Sequence, residues 1–188
     1  NVRCLQEAKL DCCVLANNHV LDWGHEGLDE TLQVLHAAGL HTCGAGPDRE
    51  RATMPAIVPL ESGARVLVFG YATMSSGVPR DWAATTRRSG VALLPDLSPR
   101  RVSGIADAIA REKRPGDVIV LSLHWGGNWG YEVTAEERAF AHAVIDDAGV
   151  DVLHGHSSHH VKGVEIYRGR PVMYGCGDFL NDYEGISG

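Results

Sequence analysis

The chain has 188 residues, 44% hydrophobic and 22% charged, a length and composition that fit one globular domain with a proper core. Its formal net charge of −7 at pH 7, with Lys and Arg scattered, excludes a nucleic-acid surface, which needs clustered basic residues. The cysteines (Cys4, Cys12, Cys13, Cys43 and Cys176) are odd in number with no Cys-x-x-Cys spacing, which excludes a disulfide framework and a zinc ribbon. No signal peptide is present and no apolar run approaches the roughly 18 residues of a membrane span.

Val2 to Lys9 has helical spacing, and Cys12 to Leu15 reads as a short buried strand that runs into Asn17-Asn18-His19. Asp29 to Ala38 is predicted as an amphipathic helix with Leu28, Leu32 and Leu35 on one face, stopping at Gly39. Leu40 to Cys43 is the next strand. Ile57 to Leu60 and Arg65 to Tyr71 form a hairpin around Glu61 to Ala64. Ala72 to Ser89 is a loop or a substrate-covering insertion. Val102 to Glu112 is a helix with Ile105 and Ile109 at i, i+4, and Asp117 to Leu123 is an unbroken apolar strand suited to burial on both faces. Thr134 with Glu137 three residues on reads as a capping box for a helix reaching about Ala148. Val150 to Leu153 is a strand, and Val164 to Tyr167 pairs with Pro171 to Tyr174 across Arg168-Gly169-Arg170. Alternating strands and helices with hairpins imply a single α/β domain over residues 1–188, with a mixed sheet or two packed sheets. The chain lacks an initiator Met and opens inside a helical pattern, so it is expected to be a piece of a longer protein.

The chemistry concentrates in histidines. His154-Gly155-His156-Ser157-Ser158-His159-His160 packs four imidazoles into seven residues, with Gly155 expected to turn the backbone sharply. His19 follows the first strand, and His124 ends the apolar strand before Trp125-Gly126-Gly127. A single histidine at a strand end is more often packed or exposed than a ligand. Recurrence at three strand ends points to one shared metal-dependent site, because ligands bind outside the carboxyl ends of strands in α/β sheets. Asp22 either orients His19 or caps the next helix. Trp125, Trp129 and Tyr131 either wall the cleft or pack a glycine-rich loop. His25, His36, His41 and His142 receive no chemistry, while His154 and His160 flank the motif.

The run Ala16-Asn17-Asn18-His19-Val20-Leu21-Asp22-Trp23-Gly24, then Gly27-Leu28, Thr31, Leu35, Gly39 and Gly44-Ala45-Gly46, resembles the CapA/PgsA capsule-synthesis family of bacterial poly-γ-glutamate production. Ser122-Leu123-His124-Trp125-Gly126, Gly155-His156 and Gly163-Val164-Glu165-Ile166-Tyr167 through Gly177-Asp178-Phe179 extend the likeness over nearly the whole chain. The resemblance implies a metallophosphoesterase-like sandwich of two mixed β-sheets flanked by helices, missing its N-terminal segment. It implies divalent metal ions (Mn, Fe or Zn), two in the complete protein, that activate water for phosphoester or amide hydrolysis. By position Asn18, His124, His156 and His159 would be metal ligands, His19 the general acid and Asp22 its partner. Glu132 would play the part of the family's Glu, either hydrogen-bonding a ligand or facing substrate, while the cleft reading of the aromatic loop, made from the residues themselves, has Trp125 and Trp129 stack on substrate. Ser157 and Ser158 replace the family's His and Pro, and Asp178 stands where the family has Asn. The family's Asp-bearing N-terminal segments have no counterpart here.

The implied partners are poly-γ-glutamate or a phosphoester substrate, and a membrane synthase complex; the implied location is the bacterial cell envelope. Two alternatives stand beside the hydrolase. One is a non-catalytic accessory subunit of a membrane-bound polymer synthase; the other is a polyanion- or carbohydrate-binding module built on the aromatic loop.

Overall fold

The computed structural model describes residues 2–179. In chain order the elements are α1 (Val2–Glu7), β1 (Cys12–Val14), α2 (Gly24–Ala37), β2 (His41–Cys43), β3 (Ala45–Gly46), α3 (Arg49–Thr53), β4 (Ala56–Pro59), β5 (Arg65–Thr73), β6 (Gly90–Val91), β7 (Leu93–Leu94), α4 (Pro99–Glu112), β8 (Val118–His124), α5 (Ala135–Asp146), β9 (Val152–His156), β10 (Val164–Tyr167) and β11 (Arg170–Met173). The chain is a mixed α/β fold. Its main sheet runs β10-β11-β9-β8-β5-β4, with β7 pairing the end of β5. The centre β11-β9-β8-β5 is parallel, and the β4–β5 and β10–β11 hairpins add antiparallel edges.

Strand alternation sends two sets of side chains to opposite faces of this sheet. One face carries Leu67, Phe69 and Tyr71 of β5 with Ile119, Leu121 and Leu123 of β8, all buried. Onto it pack Val102, Ile105 and Ile109 of α4 and Phe140, Val144 and Ile145 of α5, which gives the largest core. The other face carries Gly70 and Ala72 of β5, Ser122 and His124 of β8, and His154 and His156 of β9. A Cβ on Gly70 would lie 2.9 Å from Val14 Cγ1 and 3.2 Å from Cys43 Sγ, so the absent side chain lets the β1–β2 pair stack directly on β5.

In place of a second large sheet, the described residues hold two small ladders: parallel β1–β2 and antiparallel β3–β6. Gly44, at φ +85°, breaks the strand between Cys43 and Ala45, and a Cβ there would strike Ala16 at 2.6 Å. That break divides the small layer into separate ladders.

Several boundaries move for local reasons. Helix α2 starts at Gly24 rather than Asp29, and it buries Leu28, Leu32 and Leu35 as its spacing predicts. Strand β9 begins at Val152, after the Asp151 carboxylate takes the Ile119 N–H at 2.8 Å, and continues through His156 because its ladder with β8 runs on to His124. The 72–89 segment is only partly a loop. It finishes β5, makes 3-10 turns at Met74–Ser76 and Arg80–Trp82, and buries Ser76 and Val78. No helix among the described residues is long and apolar enough to cross a membrane.

The start of β5 is tied to the turn before β8 by a two-pronged ion pair. Arg65 Nε donates to Asp117 Oδ1 at 3.0 Å, and its Nη2 reaches Oδ2 at 2.5 Å. The same Asp117 accepts from the Arg114 N–H at 2.7 Å. Hydrogen bonding to Arg65 leads the effects that hold its carboxyl down at about 2, against an ordinary 3.8. A carboxylate depressed in the folded state stabilises above its unfolded pKa, and that contribution is lost as pH falls through the folded value. Urea titrations should therefore show this part of the stability intact above about pH 4 and disappearing toward pH 2. Asp117→Asn should be less stable than the parent at pH 7 and should lack this part of the acid dependence. At α5 both halves of the Thr134–Glu137 capping box form. Thr134→Ala should cost about 1 kcal/mol in the same assay.

Candidate functional site

The parallel register of β8 and β9 sets Ser122 beside His154 and His124 beside His156, all on the face away from α4 and α5. His124 and His156 are the last residues of their strands. Their ring centroids lie 4.9 Å apart and their Nδ1 atoms 3.0 Å apart. From the loop after β1, Asn18 brings its Oδ1 within 3.1 Å of His124 Nε2. Because an amide oxygen only accepts, His124 Nε2 carries the proton and its Nδ1 accepts from His156 Nδ1–H. This leaves His156 Nε2 as a bare lone pair, buried without a hydrogen-bond partner.

Burial, with His19 and His159 nearby, pushes His124 down to about 4; burial, with His124 and His154 nearby, pushes His156 down to about 3. Both rings are therefore neutral near pH 7. Behind them, burial also lowers the pKa of His154, whose Nδ1 meets Ser122 Oγ at 3.0 Å. The carbonyl of His124 is held by the Ser76 hydroxyl at 2.8 Å and the Thr73 hydroxyl at 3.2 Å. Sequence reasoning missed this buttress, although the Thr73 to Ser76 run of small polar residues was its available signal.

These side chains open into a cavity of about 450 Å³ whose lining includes Asn17, Asn18, His19, Asn128, Ser157, Ser158, His159, Asp178 and Phe179. His19 is exposed, and its Nδ1 meets Asp22 Oδ2 at 2.8 Å. Trp23, not Asp22, occupies the cap position of α2, so Asp22 is placed to orient the ring. His159 Nδ1 meets Asp178 Oδ2 at 2.9 Å. The pairing was visible in sequence only as an Asp where the family has Asn.

The cavity therefore gathers Asn18, His19, His124, His156 and His159, with Asp22 beside it. Trp129 stands next to it, 5.6 Å from His159 by ring centroids. Glu132 is exposed and not part of the lining. Trp125 is 3% exposed, stacks on Tyr174 at 6.0 Å, and donates from Nε1 to the Tyr174 carbonyl at 3.0 Å. Its ring belongs to the core, because the residue after His124 faces the opposite side of the sheet.

Gly155 does not make the turn after β9. That turn falls at Ser157, whose φ of 119° is unusual for a residue with a side chain and whose hydroxyl donates to the Gly126 carbonyl at 3.0 Å. Gly155 is instead required by packing. A Cβ there would lie 2.4 Å from the Tyr174 carbonyl oxygen and 2.7 Å from Trp125 Nε1.

The residues fit a divalent cation only in part. Asn18 Oδ1, neutral His124 and the bare Nε2 of His156 are suitable nitrogen and oxygen donors. The cluster they form contains no carboxylate, and among the described residues no three His, Cys, Asp or Glu side chains converge as a metal centre. By donor count the set would fill part of one cation's shell and none of a second's.

Residues 1–183 match the family model described as bacterial capsule synthesis protein PGA_cap. The chain is 48% identical to the probable polyglutamine synthesis accessory protein of Mycobacterium tuberculosis, over all of this chain and 50% of that protein. It is 26% identical to the capsule biosynthesis protein CapA of Bacillus anthracis, over 96% of this chain and 42% of that protein. Against the PGA biosynthesis protein CapA of Bacillus subtilis it is also 26% identical, over 97% of this chain and 45% of the relative. The chain thus spans about half the length of the curated relatives it matches.

Gly155→Ala should destabilise the fold by about 1–3 kcal/mol, read as a lowered urea midpoint, because rigid backbone and not a flexible side chain stands in the way. With the match running across the strand-end histidines and the loops that meet them, the chain belongs to the PGA_cap family of bacterial capsule synthesis proteins.

Proposed function

We propose that this chain provides a metal-dependent hydrolase-type site for the synthesis of poly-γ-glutamate or a related capsule polymer, acting on a phosphoester or a γ-glutamyl amide. The observation that carries the reading is the meeting of Asn18, from the loop after β1, with His124 and His156 at strand ends, where a bare imidazole nitrogen is buried among them. Asn18, His124 and His156 would hold a divalent cation (Mn, Fe or Zn), and His159 with Asp178, which also line the cavity, would offer donors for a second. When bound, such a cation lowers the pKa of water and polarises the bond to be broken.

The protein's own residues do the rest. Neutral His156 offers its Nε2 lone pair without first losing a proton, and neutral His124 would offer its own once the hydrogen bond to His156 gives way to the cation. His19, held through Nδ1 by Asp22, is oriented to hand a proton from Nε2 to the leaving oxygen or nitrogen, and the Asp22 carboxylate stabilises the imidazolium. The β1–β2 layer stacked on the main sheet supports reading the fold as a metallophosphoesterase-like sandwich with a reduced second sheet.

A second reading is favoured by the lack of a carboxylate in the Asn18–His124–His156 cluster and by the word "accessory" in the name of the mycobacterial relative. In it the chain is a non-catalytic subunit of a membrane polymer synthase, with a vestigial site.

Metal analysis of the chain purified from medium supplemented with Mn²⁺ or Zn²⁺ separates the two. The hydrolase reading expects near-stoichiometric metal that is lost in both His124→Ala and His156→Ala. His19→Ala should keep the metal while hydrolysis of a phosphodiester or of poly-γ-glutamate falls by about 10²-fold or more. No metal retained in excess Mn²⁺ or Zn²⁺ would leave the accessory reading standing.

A further inference from the structure

Arginines that lie far apart in the sequence gather around α3. Four cavities adjoin one another there, each sharing lining residues with the next. Leu32, His36 and Pro47 join the first to the second, Met54 and Pro55 the second to the third, and Arg49 and Thr53 the third to the fourth. Arg87 and Arg88 line the first, Arg51 the second, Arg49 and Arg111 the third, and Arg80 the fourth. No lysine lines any of them, and the carboxylates there are those of Asp29, Glu50 and Glu112.

All six of these arginines are exposed. Arg49 and Arg88 reach only the backbone carbonyls of Ala84 and Asp81. Arg51, Arg80, Arg87 and Arg111 make no side-chain hydrogen bond or ion pair among the described residues. By contrast Arg65, Arg138, Arg168 and Arg170 each face a carboxylate. The backbone beneath the six is fixed. The Arg49 N–H donates to the Thr85 carbonyl at 2.8 Å, and the Arg51 N–H donates to the Asp48 carboxylate at 2.8 Å. Gly46 lets β3 lie against α3, since a Cβ there would stand 2.5 Å from the Ala52 nitrogen.

Guanidinium groups held near one another without acid partners repel, and an anion relieves that repulsion. One exposed guanidinium–carboxylate pair adds little, so a single small anion would scarcely be held. A chain with a carboxylate on every repeat engages several guanidiniums at once, each further contact being intramolecular, and the planar guanidinium grips a carboxylate by two parallel bonds. Asp29, whose Oδ1 has no hydrogen-bond partner, lines the first cavity and offers an acceptor to the amide N–H of such a chain; a polyphosphate has no donor for it. The surface also starts beside the imidazole cavity along the chain: His25, in the first cavity, lies one turn after Asp22, which holds His19.

We infer that the arginines around α3 form a second binding surface, distinct from the imidazole cavity, that holds the flanking length of an anionic polyamide such as poly-γ-glutamate. The identity of the polymer rests on the function proposed above; the surface itself rests on the unpaired arginines.

The test is fluorescence anisotropy of labelled poly-γ-glutamate with the chain in EDTA at low salt. The parent is compared with the triple variant Arg51→Gln, Arg87→Gln, Arg111→Gln and with Arg3→Gln on α1, outside the four cavities. The expected result is saturable binding that weakens tenfold or more in the triple variant, holds in Arg3→Gln, and falls as salt is raised. At equal carboxylate concentration γ-glutamylglutamate should not displace the polymer. The replaced side chains are exposed and unpaired, so the thermal unfolding midpoint should stay in place. Absence of polymer binding overturns the proposal, as does a triple variant that binds like the parent or an equal loss in Arg3→Gln. Polyphosphate or duplex DNA bound as tightly through the same arginines also overturns it. Because EDTA removes metal, the two readings fail separately. Metal retained without arginine-dependent polymer binding sinks only the second surface, and such binding without metal sinks only the metal-dependent reading.

Discussion

The parallel pairing of β8 with β9 is the constraint on which the rest depends. It sets His124 against His156 and Ser122 against His154 on one face, and it sends Leu121, Leu123 and Leu153 to the other. Strand side chains alternate, so a slip of one residue would drive the imidazoles into the helix-covered core and expose leucines. The register is therefore guarded by hydrophobic burial, and the polar site is its consequence. Gly155 adds a second guard, because only a residue without a side chain lets β9 close onto the Tyr174 backbone and the Trp125 indole.

Placing imidazoles there has an electrostatic cost that is also the source of their reactivity. Burial disfavours the protonated form, so His124 and His156 remain neutral, and the lone pair on His156 Nε2 stays available. Most buried polar groups around them are satisfied: the His124 carbonyl by Ser76 and Thr73, His154 by Ser122, and His124 Nε2 by Asn18. His160 Nε2 and Asp29 Oδ1 are without partners among the described residues, and within the Asn18–His124–His156 cluster the exception is His156 Nε2. A buried acceptor with no partner is unfavourable in a merely structural setting, and its position at the cavity gives that imbalance a functional meaning.

Around this neutral centre the cavity is bordered by two imidazole–carboxylate pairs, His19–Asp22 and His159–Asp178, contributed by the loop after β1 and by the last turns of the described chain. In each, the carboxylate fixes one ring nitrogen and so selects the face that the other presents. Such oriented imidazoles suit proton delivery or ligation, and which of these each performs depends on what enters the cavity. The loops also carry the exposed aromatic residues. Rigid strands hold the imidazole centre, while adaptable loops bear the surfaces that would choose a partner.

Much of this was legible in the sequence, because local chemistry writes itself locally. The Thr134–Glu137 capping box, the leucine stripe of α2, both hairpins and the strand-end positions of His124 and His156 depend on residues a few places apart. The family was legible too, from the Asn17-Asn18-His19 run and the later glycine-marked motifs. Tertiary structure decided what depends on residues far apart in the chain. Trp125 read as a cleft wall until the sheet placed its indole against Tyr174, 49 residues away. Gly155 read as a turn until β11 and Tyr174 closed over it, and Asp22 could be a cap or an orienting group until α2 began at Gly24. The sequence by itself determined which side chains could do chemistry and on which elements they ride. Only the fold decided which of them meet, because pairing between strands and the close approach of backbones are long-range packing outcomes that no local pattern encodes.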